Sequence, residues 1–311
     1  MRALVAFVLF SSLALAEPPR FPVPANDEAW KALRNPPLPV WARTVSASLP
    51  KTAAKMLELD DLHRTSSPLG NALAAKLRWV ASDAVGSRYG KAVAEIDAKA
   101  AGVTKAEIEK FADPKNPLAV FARKMALAAD SITDAEFKAL LEVHGPETMV
   151  GIVHALAYAG FHDRMLLALG VQPEKDPVPP LGRTFDAKWY DAIATPARDK
   201  MPDRKAVPGP STATFDWKDL TGRKMPDELA TQRKRPLRVP LPPEDKLAFM
   251  TEASRARTLK IVWSHVSQGY QPKMTGAWFA AMNQMQAEAK IDQVFTNTLF
   301  WIATRTNRCF Y

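Results

Sequence analysis

Apolar positions recur at helical spacing from about residue 50 to residue 170. Leu69, Leu73, Leu77 and Val80 fall at i, i+4, i+8 and i+11, one stripe of a helix. Thr104-Lys-Ala-Glu107 and Thr133-Asp-Ala-Glu136 both have capping-box spacing, in which Thr and Glu side chains satisfy each other's orphan backbone donors. Two helices are predicted to start there. His144-Gly145-Pro146 closes the second of them, with a Gly suited to a left-handed cap. Met149 to Ala159 reads as a further apolar helix, and Leu166-Leu167-Ala168-Leu169-Gly170 ends the region. No run sustains the alternation of a strand. The predicted fold class is all-α, a helical bundle.

Composition adds the organisation. A chain of 311 residues suggests about two domains. Its 26 Pro against 13 Gly point to stiff connections between helical parts. Residues 17–40 read as a Pro-rich lead-in. Residues 172–243 hold 13 of the 26 prolines and little helical periodicity, a Pro-rich basic linker far longer than an ordinary loop. This span either hangs free or wraps over the surface through Phe185, Trp189, Tyr190 and Trp217. From residue 244 helical patterning resumes, with the Trp and Met residues at 263–285 read as core.

The N-terminus has the order of a secretory signal peptide over residues 1–16. Met1-Arg2 gives a positive start, Ala3 to Phe10 is wholly apolar, and Ala14-Leu15-Ala16 supplies the small residues for cleavage. The apolar stretch is too short for a ~30 Å hydrocarbon core. The protein is therefore expected to be secreted or periplasmic, with no membrane partner after cleavage. The net charge is +9, and the basic clusters Arg223-Lys224 and Arg233-Lys234-Arg235 read as solvated loop, not as a nucleic-acid face. A single Cys excludes an intramolecular disulfide framework and a four-thiolate zinc site. None of the five His pair at i, i+4, so no metal is expected. His162-Asp163-Arg164 is read as a helix terminus and Asp60-Asp61 as a surface turn. No Gly-rich phosphate loop or nucleophile elbow is present.

The most informative pattern is a repeat. Shifting the sequence so that Pro50-Lys51 falls on Pro272-Lys273 also brings Leu77, Trp79 and Ala81 onto Leu299, Trp301 and Ala303, and Tyr89 onto Tyr311. The stripe Leu69, Leu73, Leu77, Val80 lands on Ile291, Phe295, Leu299, Ile302, apolar at every position. The reading is a tandem duplication, 41–171 being the first copy and 244–311 the start of a second, truncated one.

Residues 77–170 resemble the carboxymuconolactone decarboxylase-like, alkylhydroperoxidase-D-like helical domains. The likeness lies in the Leu-x-Trp-x-Ala helix, in Gly86-x-x-Tyr89, in Ala100-Ala101-Gly102-Val103-Thr104-x-x-Glu107-Ile108, and in the helices running to Val171. Redox members of that family use a Glu, a Cys-x-x-Cys twelve residues later, and a His four residues further on. In the first copy these positions are Ala75, Ser87, Gly90 and Ala94, chemically empty, and no neighbour of Ser87 in sequence is a base. That domain is expected to be inactive, structural or dimerising.

In the second copy Cys309 stands at the first Cys position and Asn297 at the Glu position. The resemblance implies a redox dithiol that reduces peroxide, through a sulfenic acid resolved to a disulfide. The partner Cys would lie past Tyr311. Arg305 and Arg308 either lower the thiol pKa or are solvated helix residues. Cys309 is either that nucleophile, a small buried residue continuing the stripe, or the first Cys of a covalent haem attachment motif. Haem is the only cofactor raised, and no other is expected. A homo-oligomer and an electron donor of unknown kind are the implied partners. The alternative to an enzyme is a non-catalytic helical scaffold.

Overall fold

The computed structural model describes residues 20–25, 38–175, 179–180, 182, 185–196, 230, 234 and 236–306. The expected signal peptide over residues 1–16, most of the lead-in, Trp217, most of the basic clusters and Cys309 lie outside the described residues. Within them every regular element is helical. No described helix is long and apolar enough to cross a membrane.

The first unit comprises α1 (Val40–Ser46), α2 (Pro50–Thr65), α3 (Asn71–Ala84), α4 (Arg88–Ala100), α5 (Lys105–Phe111), α6 (Pro117–Leu127) and α7 (Asp134–Leu169). Their starts follow from local chemistry. Pro50 and Pro117 occupy first-turn positions, where the missing N–H costs nothing. Thr104 and Thr133 make both predicted capping boxes. Gly145, at φ 73° and ψ 164°, breaks α7 into two segments before Pro146; its positive φ needs a Gly, but its ψ is extended and not that of the expected left-handed cap, which is found instead at Gly170 (φ 67°, ψ 25°).

α3 is the axis of this unit. Its stripe residues Leu77 and Val80 are fully buried against Leu118, Phe121 and Ala122 of α6 and Met149, Ile152 and Leu156 of α7, while Leu69 and Leu73 pack at the margin. A second cluster joins Leu38, Trp41, Leu57, Tyr89, Val93 and Leu166 across α1, α2, α4 and α7.

The described parts of the Pro-rich span are docked on the helices. Phe185 is buried in that second cluster beside Trp189 and Tyr190, and Asp186 caps the short α8 (Ala187–Ala192). Further on, Arg238 bonds Asp134 at 2.7 Å and Val239 packs on the main core. Tyr270 donates to the Pro240 carbonyl at 3.0 Å. Both described ends of the span are therefore docked.

The second unit contains α9 (Glu252–Leu259), α10 (Val262–Tyr270), α11 (Pro272–Ala289) and α12 (Gln293–Thr306). Helix starts at 40, 50 and 71 in the first unit correspond, in the register of the repeat, to starts at 262, 272 and 293 in the second. Their ends do not all follow: Ser46 and Thr65 correspond to 268 and 287, whereas α10 and α11 run on to Tyr270 and Ala289. The N-caps Leu49 and Gln271, equivalent positions, share an unusual backbone: φ −136°, ψ 63° and φ −134°, ψ 59°.

The equivalent helices α2 and α11 pack on each other antiparallel. Glu288, near the end of α11, accepts from the backbone N–H of Lys51 and Thr52 in the first turn of α2 at 3.1 and 2.7 Å. It also accepts from the Thr52 hydroxyl at 2.7 Å and from Thr195 of the Pro-rich span at 2.9 Å. A carboxylate there satisfies orphan donors and meets the positive end of the helix dipole. At mid-helix the equivalent residues Leu59 and Ala281 share one apolar cluster with Tyr158. An antiparallel pair with equivalent residues opposite each other defines a local two-fold axis. The expectation that Trp and Met at 263–285 form core holds for Met274, at 3 % exposure, but not for Trp263 and Met285, at 47 % and 41 %.

Candidate functional site

The charged residues of the first unit meet where sequence spacing gave no warning. α3 presents Ala75, Arg78 and Ser82 on one face, i, i+3 and i+7. α2 brings Asp60, His63 and Arg64 to it, α4 brings Asp97, and α7 brings Tyr158, His162 and Asp163. Asp60 and Asp163 are 4 % and 0 % exposed. Asp60-Asp61 is thus no surface turn. His162-Asp163-Arg164 is no helix terminus either, but the middle of the second segment of α7.

Asp60 is the hub. It accepts from Tyr158 Oη at 2.7 Å, from Arg64 Nη1 at 3.2 Å and from Arg78 Nη1 at 3.3 Å. Arg64 also grips Asp97 through Nε and Nη2, at 2.9 and 2.8 Å. Two carboxylates and two guanidiniums therefore balance. Burial alone would raise the Asp60 carboxyl, but Arg64 and Arg78 outweigh it and hold the pKa well below the usual range. Burial and the neighbouring Asp60 push the Tyr158 phenol well above its usual value.

Two neutral histidines flank the network. Arg78 Nη2 donates to His162 Nδ1 at 2.9 Å, which puts the imidazole proton on Nε2. Burial first, and Arg78 second, push His162 down to about 3. His63 is pushed down to about 3 by burial and by His154. The rings form a column: His63 stacks on Tyr158 with centroids 4.2 Å apart, Tyr158 on His162 at 5.5 Å, and His162 stands edge-on to Trp41 at 5.1 Å.

Beside the column lies a cavity of about 20 Å³ lined by His63, Arg64, Ala75, Arg78, Asp97 and Tyr158. That is room for about one water molecule. Among the described residues no three His, Cys, Asp or Glu side chains are grouped to hold a metal ion.

The structure assembles the first copy's four motif positions along the α3–α4 pair. Ala75 lines the cavity. Ser87, fully buried, caps α4 by accepting from the Gly90 N–H at 3.1 Å. Ala94 is buried in the same helix. Ser87 does have a base nearby, contrary to the sequence reading. Asp163, whose Oδ2 accepts from Ser82 at 2.7 Å, also has the Ser87 hydroxyl beside it. It comes from a helix more than seventy residues away in sequence, so spacing could not reveal it. Burial raises the Asp163 pKa, with Arg78 and Ser82 opposing. This cluster is sealed, and no reactant reaches the serine.

Gly90 shows how tightly it is packed. A Cβ there would fall 2.0 Å from Asp163 Oδ1 and 2.4 Å from Ser82 Oγ. Any side chain at the second Cys position would collide with the Ser82–Asp163 pair. Gly90→Cys is expected to cost about 1–3 kcal/mol by overpacking, read as a lower urea midpoint. An added Asp163→Ala should recover part of the loss; a Gly90→Cys protein as stable as the original would contradict the packing.

In the second unit the equivalents of Asp60, Arg64 and Arg78 are Met282, Gln286 and Phe300. The ion network belongs to the first unit alone. Asn297 is exposed on α12, where its Oδ1 accepts from Gln293 at 2.8 Å. Cys309 lies outside the described residues.

The sequence matches no family model, and no curated protein or solved structure is significantly similar to it.

Proposed function

We propose that residues 38–171 act as a non-catalytic helical platform on which a second unit of the same kind is mounted. The observation that carries this reading is the sealed Ser82–Ser87–Asp163 cluster, which fills the space a second motif thiol would need at Gly90. The balanced network around Asp60 supports it. Every charged group there faces an opposite charge, and the one cavity beside it is water-sized. Such a site holds helices together. It contains no nucleophile open to a substrate.

A second reading concerns Cys309 and is favoured by the matched starts of α3 and α12. By that register Cys309 takes the place of Ser87, the N-cap of the next helix in the first unit. A helix N-terminus lowers a thiol pKa. The chemistry implied by the carboxymuconolactone decarboxylase-like resemblance is peroxide reduction. The thiolate attacks one peroxide oxygen, the O–O bond breaks, and the thiol becomes a sulfenic acid as alcohol or water leaves. A second thiol, absent from residues 1–311, then forms the disulfide with loss of water, and an external dithiol donor reduces it. This work would take place outside the cytoplasm, where the leader-like N-terminus would send the chain.

Peroxide consumption with a dithiol donor tests both readings. The first unit is expected to contribute nothing, so Ser87→Ala leaves any turnover unchanged, and Cys309→Ser abolishes it. Turnover that survives Cys309→Ser but falls in Ser87→Ala would overturn the platform reading.

A further inference from the structure

Arg78 has more donors than the network around Asp60 uses. Its Nη1 donates to Asp60 at 3.3 Å and its Nη2 to His162 at 2.9 Å. Its Nε–H is buried and has no partner among the described residues, in a side chain that is itself buried. A guanidinium is a planar fork, so committing Nη1 and Nη2 leaves the Nε edge for a further acceptor. Left unmade, that bond would carry the full cost of the N–H group's lost hydration.

The cavity of about 20 Å³ lies where such an acceptor can sit. Arg78, Arg64, Asp97 and His63 wall it, together with the methyl groups of Ala74 and Ala75. Asn71, an exposed residue at the start of α3, also stands in its lining and gives it a way out to solvent. Asp97 has capacity to spare. Its Oδ1 accepts twice from Arg64, at 3.1 and 2.8 Å, whereas its Oδ2 accepts once among the described residues, at 2.9 Å. A carboxylate oxygen with one donor keeps a lone pair.

We propose that this cavity is the binding site of one ordered water molecule, which accepts from Arg78 Nε–H and donates to the Asp97 carboxylate. Its size suits that ligand, since one water needs about 10–15 Å³ by this measure and two would need about twice that. Its polarity does too. Two guanidiniums already face two carboxylates, so an ion would add a buried charge with no counterpart. An apolar occupant would leave the Arg78 N–H orphaned. Water accepts and donates at once, and it joins Arg78 to Asp97, between which there is no direct ion pair among the described residues. The bonds then close a ring through Asp60, Arg64, Asp97, the water and Arg78, tying α2, α3 and α4. This rests on the platform reading and deepens it, because the water becomes one of the parts that hold the helices.

The test uses the full chain isotope-labelled at its alanine methyls. Cross-relaxation from water is expected at Ala74 and Ala75, with the sign given by a water that tumbles with the protein. None is expected at Ala122, which is buried in the main core. Crystals grown in bromide should show a single oxygen-sized peak within hydrogen-bond distance of Arg78 Nε and Asp97, without anomalous signal. In Ala75→Val the added methyl groups take the space, and the Ala74 signal should vanish. No cross-relaxation at either methyl of the unsubstituted protein would overturn the proposal. A bromide peak in the cavity, or an Ala74 signal unchanged in Ala75→Val, would do the same. Peroxide turnover that contradicted the platform reading would leave these signals as they are, so the two can fail separately.

Discussion

Asp60→Asn is expected to destabilise the first unit by about 3–5 kcal/mol, because it removes the negative charge facing two buried guanidiniums while preserving shape. Arg64 keeps Asp97, but Arg78 is left with only neutral His162 and a distant carboxylate. The readout is the urea midpoint. The second unit offers a control, since it has Met282 and Phe300 where the first has Asp60 and Arg78. Asp60→Met combined with Arg78→Phe removes both charges together. Buried ion pairs are often replaceable by apolar residues at little cost, so this double variant should be more stable than Asp60→Asn alone. A double variant no better than the single one would show that Asp60 and Arg78 are not coupled.

Mild acid is the second strong perturbation. His63 and His162 are pushed down to about 3 and His154 to about 4, all mainly by burial, from an ordinary value of 6.5. The unfolded chain binds protons at these groups as pH falls through 6.5, and the folded protein refuses them until about pH 3–4. Stability is therefore lost across that window, by about 2 kcal/mol per histidine at pH 5. Asp163 works in the opposite sense. Its raised pKa contributes stability below the ordinary carboxylate value, lost as pH rises through the folded pKa. Asp60 does not enter at pH 5, since its depressed pKa preserves its charge to far lower pH. Three histidines outweigh one aspartic acid, so unfolding free energies from urea titrations at pH 7 and pH 5 should differ by about 4–6 kcal/mol, with a correspondingly lower midpoint at pH 5. Equal midpoints would mean that the imidazoles reach solvent.

The parts of this architecture legible in the sequence are those governed by local rules. Capping boxes at Thr104 and Thr133, the stripe through Leu77 and Val80, and the helix after Met149 depend on neighbours within a few residues. The repeat was read from Leu-x-Trp-x-Ala and the stripe recurring in one register, and three helix starts fall in that register while the ends of two of those helices differ by two residues. The polar network was not legible. Asp60 and Arg64 are one turn apart, an ordinary surface pairing, and nothing in their surroundings signals burial. Arg78 interrupts the apolar run between Leu77 and Trp79, and that was the one visible hint of a buried cation. Its partners Tyr158, His162 and Asp163 lie eighty residues on. The surroundings of Ser87 were half legible: Ser87 and Gly90 showed that the positions the resemblance aligns with thiols carry none, but only tertiary packing shows Asp163 beside them.

Two equivalent helices face each other in α2 and α11, with Leu59 opposite Ala281. The most direct test introduces Leu59→Cys and Ala281→Cys in a Cys309→Ser background and oxidises the protein. The expected result is one bond, between residues 59 and 281 of the same chain, forming in the folded protein and not in urea. Failure of that bond to form, or its formation only between two chains, would contradict the local two-fold pairing on which the platform reading rests.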